Sequence, residues 1–141
     1  MKLKEAENLY TKDSIVIFDG ECSFCNSCVN LLMKLDKSKN LKFSSSTSNF
    51  VQIVEKKFPV SLYKNNSIIF IHNSILYYRS DAVIKILNEI KYNKIIVGIL
   101  KLIPKFIRDA GYNFISNRRY ILNKNIKCKL PTEEDKLRFI N

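Results

Sequence analysis

The run SIVIFDGECSFC, residues 14–25, changes character halfway along. Ser14–Asp19 is apolar and rich in β-branched residues and stops at Gly20, the pattern of a buried strand. Phe24–Asp36 follows with Val29, Leu31, Leu32 and Leu35 at helical spacing. Cys22 and Cys25 therefore fall where the first strand hands over to the first helix. A helix N-terminus offers unpaired N–H groups and about half a positive charge. Both favour a thiolate, and a C-x-x-C cysteine there can have its pKa lowered from ~8.5 to between ~3.5 and ~7.5. At the open end of the pair, Cys22 is the candidate attacking thiolate, and Cys25 the candidate resolving thiol.

Working outward, Leu41–Ser44 reads as a second strand. Ser45–Asn49 can open a helix that Phe50, Ile53, Val54 and Phe58 continue as far as Pro59. Ser67–Ile71 and Ile75–Arg79 are two strands joined by a turn at His72-Asn73-Ser74. Ser80 is expected to cap the next helix, with Asp81 in its first turn and Val83, Ile84, Ile86 and Leu87 on or near its buried face. The order β-α-β-α-β-β-α is that of the thioredoxin fold. Its crossovers predict a parallel start to the sheet, and the hairpin adds an antiparallel strand. Helices are expected near Lys94–Ile103 and Lys105–Ile121, broken at Pro104. The fold class is thus α/β: a thioredoxin-like core over residues 14–91 and a basic helical extension over 92–129, within one domain of 141 residues.

Composition excludes several classes. With 46% hydrophobic and 26% charged residues, the chain is neither a disordered tail nor a membrane bundle. One histidine rules out a His-rich metal site. Met1–Asp13 shows no apolar leader, so a cytoplasmic setting is expected, where clustered thiols are more often catalytic or metal-binding than structural. Residues 91–129 hold ten Lys or Arg against the single Asp109, which accounts for most of the net charge of +11. Cys25 and Cys28 form a second C-x-x-C, and with Cys128 the thiols raise the alternative of a zinc or iron–sulfur centre. Ligands on successive turns of one helix do not easily surround an ion. Cys28 is therefore expected to be a small buried hydrophobe, and no metal or cofactor is assigned.

Asp19-Gly20-Glu21-Cys22-Ser23-Phe24-Cys25, with Val29 and then Leu35-Asp36, resembles the D-G-x-C-x-x-C signature of the DCC family of predicted thiol-disulfide oxidoreductases. Further matches are Ser80-Asp81-Ala82, Pro104, Arg108-Asp109, Asn117-Arg118-Arg119-Tyr120, and Cys128 to Pro131. The resemblance covers about residues 14–131. It implies a thioredoxin-like fold and redox-active cysteines, and maps Asp19, Cys22 and Cys25 to the site. It supplies no substrate; the dithiol–disulfide chemistry itself leads to the expectation of a disulfide-containing protein or a low-molecular-weight thiol. Asp19 has two compatible readings, as a proton shuttle for Cys25 or as a brace for the Gly20 turn. Thioredoxins carry a cis-proline just before the strand that faces the active site. Here Asn65-Asn66-Ser67 stand instead, so either substrate is held differently or the redox role is modified or lost.

Arg118 and Arg119 could favour a thiolate, but read first as solvated charges. Cys128 reads as a packing thiol or a third redox partner. His72 reads as a turn residue; a Cys–His pair would need it beside Cys22. In residues 91–129, Tyr92, Phe106, Tyr112, Phe114 and Tyr120 interleave with the cations. Plain packing with a solvated basic face is the first reading, an anionic membrane surface the second, and nucleic acid the last.

Overall fold

The computed structural model describes residues 2–20, 23–58, 68–118 and 133–140, with the side chains of Ser23 and Phe24 excepted. Five strands form one sheet in the order β4-β3-β1-β2-β5. These are β1 (Ser14–Phe18), β2 (Leu41–Ser45), β3 (Ile69–His72), β4 (Ile75–Tyr78) and β5 (Phe139–Ile140). Helices α1 (Leu3–Lys12), α2 (Ser23–Leu35), α3 (Asn49–Glu55), α4 (Arg79–Glu89), α5 (Lys94–Leu102), α6 (Lys105–Asn117) and α7 (Glu133–Lys136) complete the described elements.

The central strand β1 is buried along its whole length. Its side chains alternate between two cores, as a pleated strand with both faces covered must. Ile15 and Ile17 join Ala6 and Tyr10 of α1, Phe50, Val51 and Val54 of α3, and Ile69 and Ile71. Val16 and Phe18 join Val29 of α2, Leu41, Phe43, Phe70, and Ala82 and Ile86 of α4. The result is a sheet between two helical layers, a thioredoxin-like α/β fold.

The expected parallel start holds for β1 and β2, paired from Ser14↔Leu41 to Phe18↔Ser45. It fails for β3, which runs antiparallel to β1. The β3–β4 hairpin is tighter than expected, with His72 paired to Ile75 and only Asn73 and Ser74 in the turn. Both turn residues have positive φ, 50° and 64°, as a type I′ turn requires.

Two elements that join the core or the sheet, α1 and β5, lie outside the expected limits of 14–91. In α1, Lys2 N–H donates to Glu5 Oε2 at 2.9 Å, and Ala6 and Tyr10 are buried. Strand β5 extends the sheet beside β2 through Phe43↔Phe139 and Ser44↔Ile140. Arg138 anchors it. Its guanidinium pairs with Asp36, which is 1% exposed, donates to Leu41 O at 3.0 Å and lies over the Phe43 ring. Asp36 also accepts the N–H groups of Asn40 and Leu41. One buried carboxylate thus ties together the end of α2, the start of β2 and the C-terminal strand.

Candidate thiol site at the carboxyl end of the central strand

The register fixes which groups share an end of the sheet. Ile17 pairs with Ile69, and Ile69 with Tyr78. The end of β1, the start of β3 and the end of β4 therefore lie together. Helices α2 and α4 begin directly after β1 and β4, so both N-termini sit at this end. Their helix dipoles add positive potential there.

Asp19 and Gly20 follow β1, and both are half-buried. Glycine is needed at position 20 because β2 runs behind it. A Cβ there would stand 2.7 Å from Ser45 Oγ and 3.3 Å from Ser45 Cβ. Asn26 Nδ2 donates to Gly20 O at 3.1 Å, and Ser46 N–H donates to Phe18 O at 2.8 Å. The turn is thus pinned from the helix that follows it and from the neighbouring strand.

Cys25 lies in the first turn of α2, half-buried and packed against the core formed by Val16, Phe18, Phe70 and Ala82. Cys28 lies one turn further along the helix and is half-buried, not buried as expected. Cys22 directly precedes α2 in the chain and lies outside the described residues, as do Arg119 and Cys128. Among the described residues, no group of three or more His, Cys, Asp or Glu is arranged to hold a metal ion.

The start of α4 is tied to α6. Asp81 Oδ2 pairs with Lys105 Nζ at 2.9 Å, and Asp81 Oδ1 with Arg108 Nη1 at 3.3 Å. The hydrogen bond from Lys105 holds the Asp81 carboxyl below the usual carboxylate range. The charges of Lys105 and Arg108 add to this, and burial works against it. The same bond raises the Lys105 ammonium. Ser80, expected as the cap of α4, instead sits inside its first turn and donates its hydroxyl to Asp109. Arg79, the first residue of α4, has a left-handed φ of 51°. Tyr112 of α6 accepts the Ile68 N–H at 2.9 Å, just before β3.

These bonds place α6 against the thiol end of the sheet, a placement the sequence did not disclose. The only hint was that Ser80-Asp81 and Arg108-Asp109 each pair a polar residue with an acid. Residues 65–67, where thioredoxins carry the cis-proline, lie outside the described set. The first described backbone N–H after them is the one that Tyr112 holds.

Other candidates fall elsewhere. His72 ends β3 at the opposite end of the sheet, where Ile71 pairs with Ile15. It bonds Ser14 Oγ at 2.9 Å and stacks on Phe70. A strand's length therefore separates it from Cys25 at the thiol end. Arg118 lies over the Phe114 ring at 4.2 Å on the last turn of α6. No described helix is long and apolar enough to cross a membrane.

Comparison with known proteins agrees with this geometry. The DCC1-like thiol-disulfide oxidoreductase family model matches residues 16–125. The chain is 31% identical over 127 residues to the uncharacterized protein YuxK of Bacillus subtilis, covering 89% of this chain and 93% of that protein. It is 26% identical over 132 residues to a chloroplastic DCC family protein of Arabidopsis thaliana, covering 91% of this chain and 77% of that protein. No solved structure gives a significant match. With most of its length matched, the strand, the C-x-x-C turn and the late helices included, the chain belongs to the DCC1-like thiol-disulfide oxidoreductase family.

Proposed function

We propose that this protein exchanges a Cys22–Cys25 dithiol for a disulfide in a protein or low-molecular-weight thiol substrate. The observation that carries the reading is the position of Cys25. It lies in the first turn of α2, directly after the central strand and at the end of the sheet where α4 also begins. In this reading the Cys22 thiolate attacks one sulfur of the substrate disulfide. The substrate S–S bond breaks, and its other sulfur leaves as a thiolate that takes up a proton. Cys25 then loses its proton, with Asp19 as the candidate acceptor, and attacks the Cys22 sulfur. The mixed disulfide breaks, the second substrate thiol departs, and a Cys22–Cys25 disulfide remains. Two electrons have passed to the substrate, and an external dithiol or pair of thiols must return them.

The test is the pH dependence of Cys22 alkylation in the reduced protein. The expected midpoint lies between ~3.5 and ~7.5, and Cys25→Ser should accumulate a mixed disulfide at Cys22. A midpoint near ~8.5, together with no Cys22–Cys25 bond in oxidised glutathione, would refute the reading. Metal analysis of protein purified without oxygen separates it from the zinc or iron–sulfur alternative, since near-stoichiometric metal would displace it. The potential of the pair against glutathione then gives the direction: a value far below the cytosolic poise marks a reductase, and one well above it an oxidant or isomerase.

A further inference from the structure

Helices α5 and α6 bury little of their apolar surface. Val97 is the buried residue of α5, and α6 has none. Leu102 is 85% exposed, Phe106 75% and Ile95 73%, and Ile99 is also exposed. Leu102 ends α5 and Phe106 opens α6, so they flank the corner at Ile103-Pro104. That corner is fixed: Arg108 Nε donates to Ile103 O at 3.1 Å, and Asp81 holds Arg108. Lys91, Lys94 and Lys101 are exposed around the same segment, and Lys105, also exposed, pairs with Asp81. Its single acid, Asp109, accepts the Ser80 hydroxyl.

We infer that the α5–α6 corner is a docking surface for an anionic lipid bilayer, with Leu102 and Phe106 entering the interface and the lysines meeting the headgroups. Exposed aliphatic and aromatic side chains ringed by cations fit a surface that is apolar below and negative above. A second copy of this chain would bring like charges together. A nucleic acid would leave Ile95, Ile99 and Leu102 without a matching surface, because strand binding uses aromatics and cations. The inference is independent of the redox reading.

The test is cosedimentation of the full chain with vesicles of phosphatidylcholine alone or mixed with phosphatidylserine. Expected is binding to the mixed vesicles only, weakening as salt rises. Leu102→Asp with Phe106→Asp should lower the partition at least tenfold. Each of Lys94→Gln and Lys101→Gln should lower it about fivefold. All four side chains are exposed, and circular dichroism checks that the variants fold. The chain has no tryptophan, so Phe106→Trp is a single reporter whose emission should shift to the blue on mixed vesicles. Absent binding, equal binding to both vesicle types, or an unshifted reporter would overturn the inference. So would a dimer that the double aspartate variant dissolves, or a polynucleotide bound more tightly than vesicles and unaffected by that variant.

Discussion

Gly20→Ala should destabilise the protein by about 2 kcal/mol, and Ser45→Gly should restore most of it. The new Cβ would lie 2.7 Å from Ser45 Oγ and 3.3 Å from Ser45 Cβ. The hydroxyl alone could rotate away, giving up its contact with Thr47 Oγ1 at 3.1 Å. The Ser45 Cβ cannot, because β2 is held to β1 at Phe18↔Ser45 and by Ser46 N–H on Phe18 O. Backbone must therefore shift, and overpacking of one methyl costs about 1–3 kcal/mol. Ser45→Gly alone should cost about 0.5–1 kcal/mol, the penalty for glycine in a strand. If the clash is the cause, the double variant should lose only about 1 kcal/mol, not the ~3 expected from additive effects. Urea unfolding of the four proteins measures this, and Gly20→Ala should lower Tm by roughly 5–10 °C. A stable Gly20→Ala, or a double variant as unstable as the sum, would refute the close-approach argument. The alkylation rate of Cys22 in the same series would show whether moving the turn also moves the thiol.

Arg138→Met should cost about 3–5 kcal/mol, because it leaves the Asp36 carboxylate buried without its cation, and adding Asp36→Asn should recover part of the loss in the same urea assay. Tyr112→Phe should cost about 1–3 kcal/mol, because the half-buried Ile68 N–H loses its acceptor, and the Ile68 amide should exchange faster by NMR. The depressed Asp81 carboxyl binds its proton less readily folded than unfolded, so its contribution is complete above the ordinary carboxylate range and is lost as pH falls below about 4. Wild-type Tm should accordingly fall more steeply with acid in that window than the Tm of Asp81→Asn.

The thiol end was legible in the sequence because its signals are local. Ser14–Phe18 is apolar and β-branched without interruption, Gly20 stops it, and Val29, Leu32 and Leu35 recur at helical spacing. What escaped depends on partners far along the chain. Helix α1 offers four apolar residues in ten, Leu3, Ala6, Leu9 and Tyr10, and gains its meaning only from α3 and β3 behind them. Strand β5 has two residues, too few to carry a period, and exists because Phe43 and the buried Asp36 wait for Phe139 and Arg138. Ser80 carries a common helix-cap signal, yet its hydroxyl turns to Asp109 of α6. Propensity identified a polar residue at the start of α4 but not the helix packed against it.

That packing gives the basic extension a second use besides its surface charge. A thiolate at the start of α2 is favoured by positive potential and opposed by nearby carboxylates. Asp19, Asp81 and Asp109 all belong to the thiol end of the fold or to the helix docked on it. Asp81 is the one that stands in the first turn of α4, where the helix dipole favours it as an anion. Left alone, it would offset the positive potential of that same helix terminus. Lys105 and Arg108 of α6 meet it directly, and Arg108 is mostly buried in doing so. With Asp109, which accepts the Ser80 hydroxyl, the junction sets two cations against two carboxylates and is formally balanced. The +9 segment therefore acts in two places: Lys91, Lys94 and Lys101 are exposed around the α5–α6 corner, and Lys105 and Arg108 pair with the acid in the first turn of α4. Replacing α6 by a neutral helix of equal shape would leave Asp81 without its two cations at the N-terminus of α4.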